Sequence, residues 1–468
     1  MNKKEYPLSA SVSLWQKILV FLPVGVLTLS TLAMNTSLKN LMSPRVEEIG
    51  LGTFYAILST VLGVCSTIAG PIGGKISDTI GRKKTAIIGT GIFALGSLMV
   101  GTGTTLTFLM IGFILTGLAF GMVNPLSSSM IADVMDKGDV PAFIGYAQGL
   151  MSLGSILIPF LTGWLAEKFT PGVGIRSLLV FAVISLLAVF LLYPDIKTES
   201  SGKYEKFDWV GLALMALCIG PLSIALTLAG KSFGWFSAWS FLLFGIAILC
   251  GVLFVRHIRK AENALIDVSM FQVKGFPQAI LLGLFSMPTV TLIGGYLIRY
   301  AQMELGFSAA VTGAWSARRI VPIILSPVIG TWLAKSANKN KSYKFALVFG
   351  GIVNIVAVAL ILFSVRPGAP SGLIFASLCL FQGGAAFENS PLKALIASSM
   401  PANMRGSGLA IQEYSNSCMS SLYGAVCGLI YNSMAFPQAI TVMIAIALGS
   451  LVIREIIAIT KIHDLNVG

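Results

Sequence analysis

Gly73-Gly74-Lys75-Ile76-Ser77-Asp78-Thr79-Ile80-Gly81-Arg82-Lys83-Lys84 separates two long apolar runs. That position predicts a short loop joining two membrane helices. Gly74 allows close helix approach at the end of the first run. Asp78 and Arg82 are four apart, a spacing that sets opposite charges side by side on a helical turn. Gly81 permits a sharp reversal. Arg82, Lys83 and Lys84 form a basic cluster of the kind retained on the cytoplasmic side of a membrane.

The rest of the chain agrees with a membrane setting. Of its 468 residues, 55% are hydrophobic and 11% charged, against about 25% charged in a soluble domain. Apolar runs of about 20 residues suit helices and are too long for barrel strands. The net charge of +13 is dispersed through short loops. Positive-inside topology accounts for it better than nucleic-acid binding, which is not expected. The six cysteines fall inside apolar runs with no metal spacing, and the two histidines, His257 and His463, lie apart in charged flanks. No cofactor or metal is expected. No glycine loop joins a Walker-type lysine, so an ATPase is excluded and the energy source is a gradient. The polar, basic N-terminus, Met1 to Lys17, precedes no small-residue cleavage site and reads as the start of a retained helix.

Fourteen apolar runs are counted, from 16–37 to 436–459. Their loop charges place both termini in the cytoplasm. The expected organisation is an N-terminal six-helix bundle (1–193), a polar linker (194–208), an inserted helix pair (209–260) and a C-terminal six-helix bundle (261–468). The halves show faint internal repetition. Asp133-Val134-Met135 through Gly145 corresponds in position to Met400 through Gly406. Gly330-Thr331-Trp332-Leu333-Ala334-Lys335 stands where the opening motif should recur without its aspartate.

The opening stretch resembles the loop between helices 2 and 3 of the major facilitator superfamily, G-x-L-a-D-r-x-G-r-k. Gly74, Asp78, Gly81, Arg82 and Lys83 match. The helix pair at 209–260 resembles the insertion of the fourteen-helix drug:proton antiporter branch. The resemblance implies an all-α polytopic fold, two six-helix bundles plus two helices, and a cytoplasmic gate built on Asp78 and Arg82. It also implies alternating access around a midplane site, a plasma-membrane location and proton-coupled efflux of small amphipathic compounds. A monomer in the lipid bilayer with a small-molecule substrate, protons as coupling ion and no enzymatic activity is the expectation.

Gly154-Ser155-Ile156-Leu157-Ile158-Pro159-Phe160-Leu161-Thr162-Gly163 resembles the antiporter motif G-x-x-x-G-P-x-x-G-G. Gly154, Pro159 and Gly163 match; Ile158 and Thr162 replace glycines. Pro159 removes a backbone donor and kinks the helix whatever the function. Two departures stand out. Phe113 occupies the place of the family's fourth-helix arginine, and Leu32 to Thr36 carries no acid. The N-terminal half then lacks a deeply buried ionisable group, which moves the search to the C-terminal half.

There, Arg318 and Arg319 fall midway along the tenth run, where a charge costs about 2.5–3.5 kcal/mol on insertion scales. Arg319 shares the polar face of Thr312, Ser316 and Ser326, which favours it for a water-filled pathway. Glu388 and Glu413 are expected at similar depth, as proton carriers or as ion-pair partners of Arg319. Gln412, Asn416 and Tyr423 share a face and add hydrogen-bonding groups. Lys393 is expected to snorkel to the inner surface. The competing explanation is structural pairing between helices. Two other functions remain open: an importer or uniporter of an organic anion on the same fold, and a non-transporting membrane receptor.

Overall fold

The computed structural model describes residues 14–51, 54–195, 208–229, 233–261, 264, 266–307, 311, 315–366, 368–401 and 404–461. The N-terminal Met1–Ser13, most of the 194–208 linker, Thr312 and His463 lie outside the described residues. The described chain is helical, with one isolated bridge between Ala229 and Phe233. Eleven of its helical stretches are long and apolar enough to cross a membrane.

The N-terminal helices are α1 (Leu14–Glu48), α2 (Tyr55–Ile80), α3 (Arg82–Thr102), α4 (Leu106–Val123), α5 (Leu126–Val134), α6 (Val140–Lys168), α7 (Pro171–Arg176) and α8 (Leu178–Leu192). α9 (Trp209–Leu228) and α10 (Ala238–Ile258) pair with each other. The C-terminal helices are α11 (Phe276–Thr291), α12 (Leu297–Met303), α13 (Ile320–Lys335), α14 (Lys339–Ser364), α15 (Ser371–Ser399), α16 (Arg405–Ser433) and α17 (Phe436–Lys461).

The loop expected at Gly73–Lys84 contracts to one residue. Both helices continue past their apolar stretches and meet at Gly81, whose φ of 97° favours glycine. α1 likewise runs beyond the expected 16–37, because Arg45 finds partners inside. Its Nε donates to Val100 O at 3.1 Å and its Nη2 to Gly103 O at 2.7 Å.

Two antiparallel seams join the halves: α2 against α16, and α6 against α13. Small residues set both. A methyl on Gly74 would lie 2.8 Å from Ala410 Cβ and 2.9 Å from Ser407 Cα. One on Gly330 would lie 2.9 Å from Gly145 Cα. Without a hydrophobic drive between helices in lipid, such close backbone packing is the main source of adhesion. Of this pair, α9 packs against α2 and α16 beside the first seam.

Candidate functional site

The first seam ends in a buried charge network. Arg82 Nη1 bonds Asp78 Oδ1, and also donates to Ser77 Oγ at 2.8 Å. Its Nε donates to Asp133 Oδ2 at 3.1 Å, and Arg405 Nη1 donates to Asp133 Oδ1 at 2.7 Å. Asp78 Oδ2 accepts from Ser407 Oγ at 2.6 Å and from the Ser407 backbone N–H at 3.0 Å. α16 has no side-chain cap of its own at Met404. Asp78 therefore caps it from the opposite bundle, at the end where the helix dipole favours an anion. Lys83 Nζ donates to Tyr193 O at 2.7 Å and ties the same corner to α8. The network alternates two carboxylates with two guanidiniums, so it holds no net charge.

Beyond this seal lies a cavity of about 210 Å³ between the halves. Ser66, Thr67, Asn124 and Phe120 line it from the N-terminal side, with Lys393, Glu413, Tyr414 and Ser417 from the C-terminal side. Lys393 Nζ meets Glu413 Oε1 at 2.8 Å. Lys393 does not snorkel to the surface as expected: it lines the cavity, and a carboxylate on the neighbouring helix lies within ion-pair distance. Sites for drug-sized ligands run roughly 300–1,000 Å³, so this conformation is too tight for one.

Glu388 lies elsewhere. It is buried within the C-terminal bundle, where Asn354 Nδ2 donates to Oε1 at 2.7 Å and Ser286 Oγ lies 3.0 Å from Oε2. Its ionic partner is Arg454 at 3.4 Å, not Arg319. Arg454 also pairs with Glu455 at 2.9 Å.

Arg319 meets backbone. Its Nη1 donates to Ser155 O at 2.9 Å. Ser155 is four residues before Pro159, which has no N–H to give. Pro159 thus orphans a carbonyl within α6, and an arginine from the other half satisfies it. Neither arginine is at mid-span: Trp315–Arg319 forms a 3₁₀ turn before α13 begins at Ile320, so both stand near its start. The 3₁₀ turn also undoes the α-helical face on which Arg319, Ser316 and Ser326 were grouped. Arg318 lies beside it, half-buried.

Gln412 and Asn416 turn away from the cavity. Gln412 is buried, and Asn416 Oδ1 rests over Gly283 of α11, 2.6 Å from where a methyl would sit. Tyr423 donates to Met443 O on α17. Of the antiporter-like residues, Gly154 lets α6 press on the Leu29 backbone of α1, while Gly163 faces open space. Sequence reading missed Asp133 and Arg405 as partners, and Arg454–Glu455 altogether. Two adjacent charges inside the last apolar run were the available signal.

A sequence profile described as Major Facilitator Superfamily matches residues 24–425. The chain belongs to the Major Facilitator Superfamily. Among its curated relatives, Multidrug resistance protein 3 of Bacillus subtilis is 23% identical over 86% of this chain and 77% of its own length. Multidrug export protein EmrB of Escherichia coli K12 is 22% identical over 90% of this chain and 80% of its own. Among solved structures, the human organic anion transporter MFSD10 (TETRAN) superposes with a TM-score of 0.66 at 15% identity, covering 94% of this chain and 99% of that one. At such identity the likeness speaks for the fold alone. Members of the Major Facilitator Superfamily are transporters rather than enzymes, and this chain is a multi-span secondary transporter of small molecules.

Proposed function

We propose that this transporter exports small amphipathic organic compounds in exchange for protons, by rocking its two bundles about the Lys393–Glu413 cavity. The observation that carries the reading is that ion pair, placed between the halves and sealed at one end by the Asp78–Arg82–Asp133–Arg405 network. The multidrug exporters among its relatives support the substrate class. The pair is half-buried on the cavity wall, where a substrate can reach it: in this reading a proton on Glu413 releases the Lys393 ammonium, and a substrate's cationic group competes for the carboxylate.

In this reading the membrane is the plasma membrane of a bacterial-type cell. The chain crosses it fourteen times: the eleven long apolar stretches plus α2, α9 and α16. Residues 1–193 and 261–468 form the moving bundles, 194–208 links them and 209–260 is the inserted pair. Both termini and the sealed end face the cytoplasm, so the conformation is closed inward. The protein works as a monomer and binds no nucleic acid.

The test uses proteoliposomes with an imposed proton gradient and ethidium as the probe cation. Gradient-driven ethidium movement that Glu413→Gln abolishes supports the reading. Gradient-independent flux of an organic anion, lost in Lys393→Met, overturns it in favour of an anion importer or uniporter. That second reading rests on the same ammonium, which can hold a substrate carboxylate.

A further inference from the structure

Away from the cavity, four helices of the C-terminal bundle enclose a second ionic group. α15 supplies Glu388, α17 supplies Arg454 and Glu455, α14 supplies Asn354 and α11 supplies Ser286. The three charged residues are 5%, 1% and 7% exposed. None of them lines the Lys393–Glu413 cavity.

The packing is shaped for this group. A methyl on Gly351 would collide with the head groups of both Arg454 and Glu455. One on Gly350 would lie 3.0 Å from Glu388 Cγ, and one on Gly384 would lie 2.7 Å from Asn354 Cγ. Three glycines on two helices thus leave room for the charged side chains.

The charges do not balance. Two carboxylates face one guanidinium, and Arg454 divides its amines between Glu388 Oε1, Glu455 Oε2 and the Leu347 carbonyl. No other cation among the described residues pairs with either acid. α11 offers the neutral Ser286. α14 offers Asn354 and, nearer its start, Tyr343 and Lys344, whose amine is bonded to Ile459 O. Fully ionised, the group carries one uncompensated negative charge in a dry membrane interior. Burying an unpaired ion costs several kcal/mol, so such a group takes a proton instead.

Two further observations point to that proton. Glu455 Oε1 and Asn354 Oδ1 are buried and lack a hydrogen-bond donor. A carboxyl proton on Glu455 turns one orphan acceptor into a donor. Ser286 Oγ lies 3.0 Å from both Leu282 O and Glu388 Oε2. Its single proton serves only one of them, so donation to Leu282 leaves Oγ free to accept from a protonated Glu388.

We propose that Glu388 and Glu455, bridged by Arg454, form a proton-binding dyad that holds one exchangeable proton outside the substrate cavity. Arg454 touches both acids, so one proton on either of them balances the group. This rests on the proton-coupled reading above and adds to Glu413 a second group that takes a proton during the cycle. Glu388 lies five residues before Lys393 on α15, so a shift of that helix reaches the cavity ion pair. A metal cation is disfavoured, because Arg454 already occupies the face that both carboxylates share.

The deciding experiment is an infrared pH titration of the full-length protein in lipid, in H₂O and D₂O. The wild type shows a C=O stretch of a buried protonated carboxyl that shifts in D₂O. Either Glu388→Gln or Glu455→Gln removes it, because one acid and one arginine balance as an ion pair. Glu413→Gln keeps it. A band absent from the wild type at every pH overturns the dyad, and so does one that survives both single glutamine variants. Loss of the band on replacing potassium by sodium at fixed pH reassigns the site to a metal cation and also overturns it. Glutamine keeps the side-chain size, and a thermal melt identifies any variant that fails to fold, the other acid then serving alone. In ethidium vesicles, Glu455→Gln drops gradient stimulation to about onefold while downhill flux continues. A dyad band without any ethidium movement leaves the proton site standing and removes only the transport reading.

Discussion

At the scale of single residues, the seal depends on Asp78 more than on any other group. It holds Arg82 and caps α16 through two bonds to Ser407. Removing one partner of a buried pair typically costs about 3–5 kcal/mol. Asp78→Asn should therefore tilt the equilibrium away from the sealed state by several kcal/mol. A cysteine introduced at Ala410 in a cysteine-free background, now buried at the seam, should react much faster with a membrane-impermeant thiol reagent. Gly406→Ala should act alike, since its methyl would lie 2.6 Å from both Arg82 Nη1 and Ser77 Oγ. In the C-terminal bundle, Arg454→Met leaves two buried carboxylates without a cation. It should lower thermal stability more than the triple variant Glu388→Gln, Arg454→Met, Glu455→Gln, which removes every charge together.

At the scale of elements, Pro159 in α6 and the start of α13 form one device. Pro159 orphans the Ser155 carbonyl and Arg319 occupies it. Hydrogen bonds to charged groups are worth about 1.5–3 kcal/mol. Arg319→Ala should cost about that much in the native background. It should cost much less in Pro159→Ala, where residue 159 regains an N–H for Ser155. A double-mutant cycle on unfolding free energy measures the coupling, and additive effects would refute it. The second seam depends on size: Gly330→Val drives a branched side chain into the Pro141 carbonyl and Gly145. We expect it to splay α6 from α13 and lower the melting temperature, with the transported-probe rate falling in parallel.

At the scale of the whole molecule, the two halves meet along two seams, and the Lys393–Glu413 pair lies on the wall of the cavity between them. Exchanging the signs of the cavity pair, Lys393→Glu with Glu413→Lys, should restore much of the stability that either single reversal loses. It should not restore the original preference among charged probes, which ethidium and an anionic dye measured side by side would show.

The apolar runs, the placement of Gly74, Asp78, Gly81 and Arg82, and the superfamily were legible in the chain itself. The runs and the charge placement rest on local spacing and on the length of helix a bilayer demands; the superfamily rests on the resemblance of that stretch to a known motif. The missing donor at Pro159 was legible too, because an absent N–H is a property of one residue. Partners were not legible, since pairing across helices depends on distances that no spacing along the chain encodes. Glu388 was expected beside Arg319 and meets Arg454; Lys393 was expected at the surface and meets Glu413. Sequence alone determined which residues are charged within apolar helices. The tertiary structure decided which of those charges neutralise one another, because in a dry interior each ion is held by its nearest partner on a neighbouring helix.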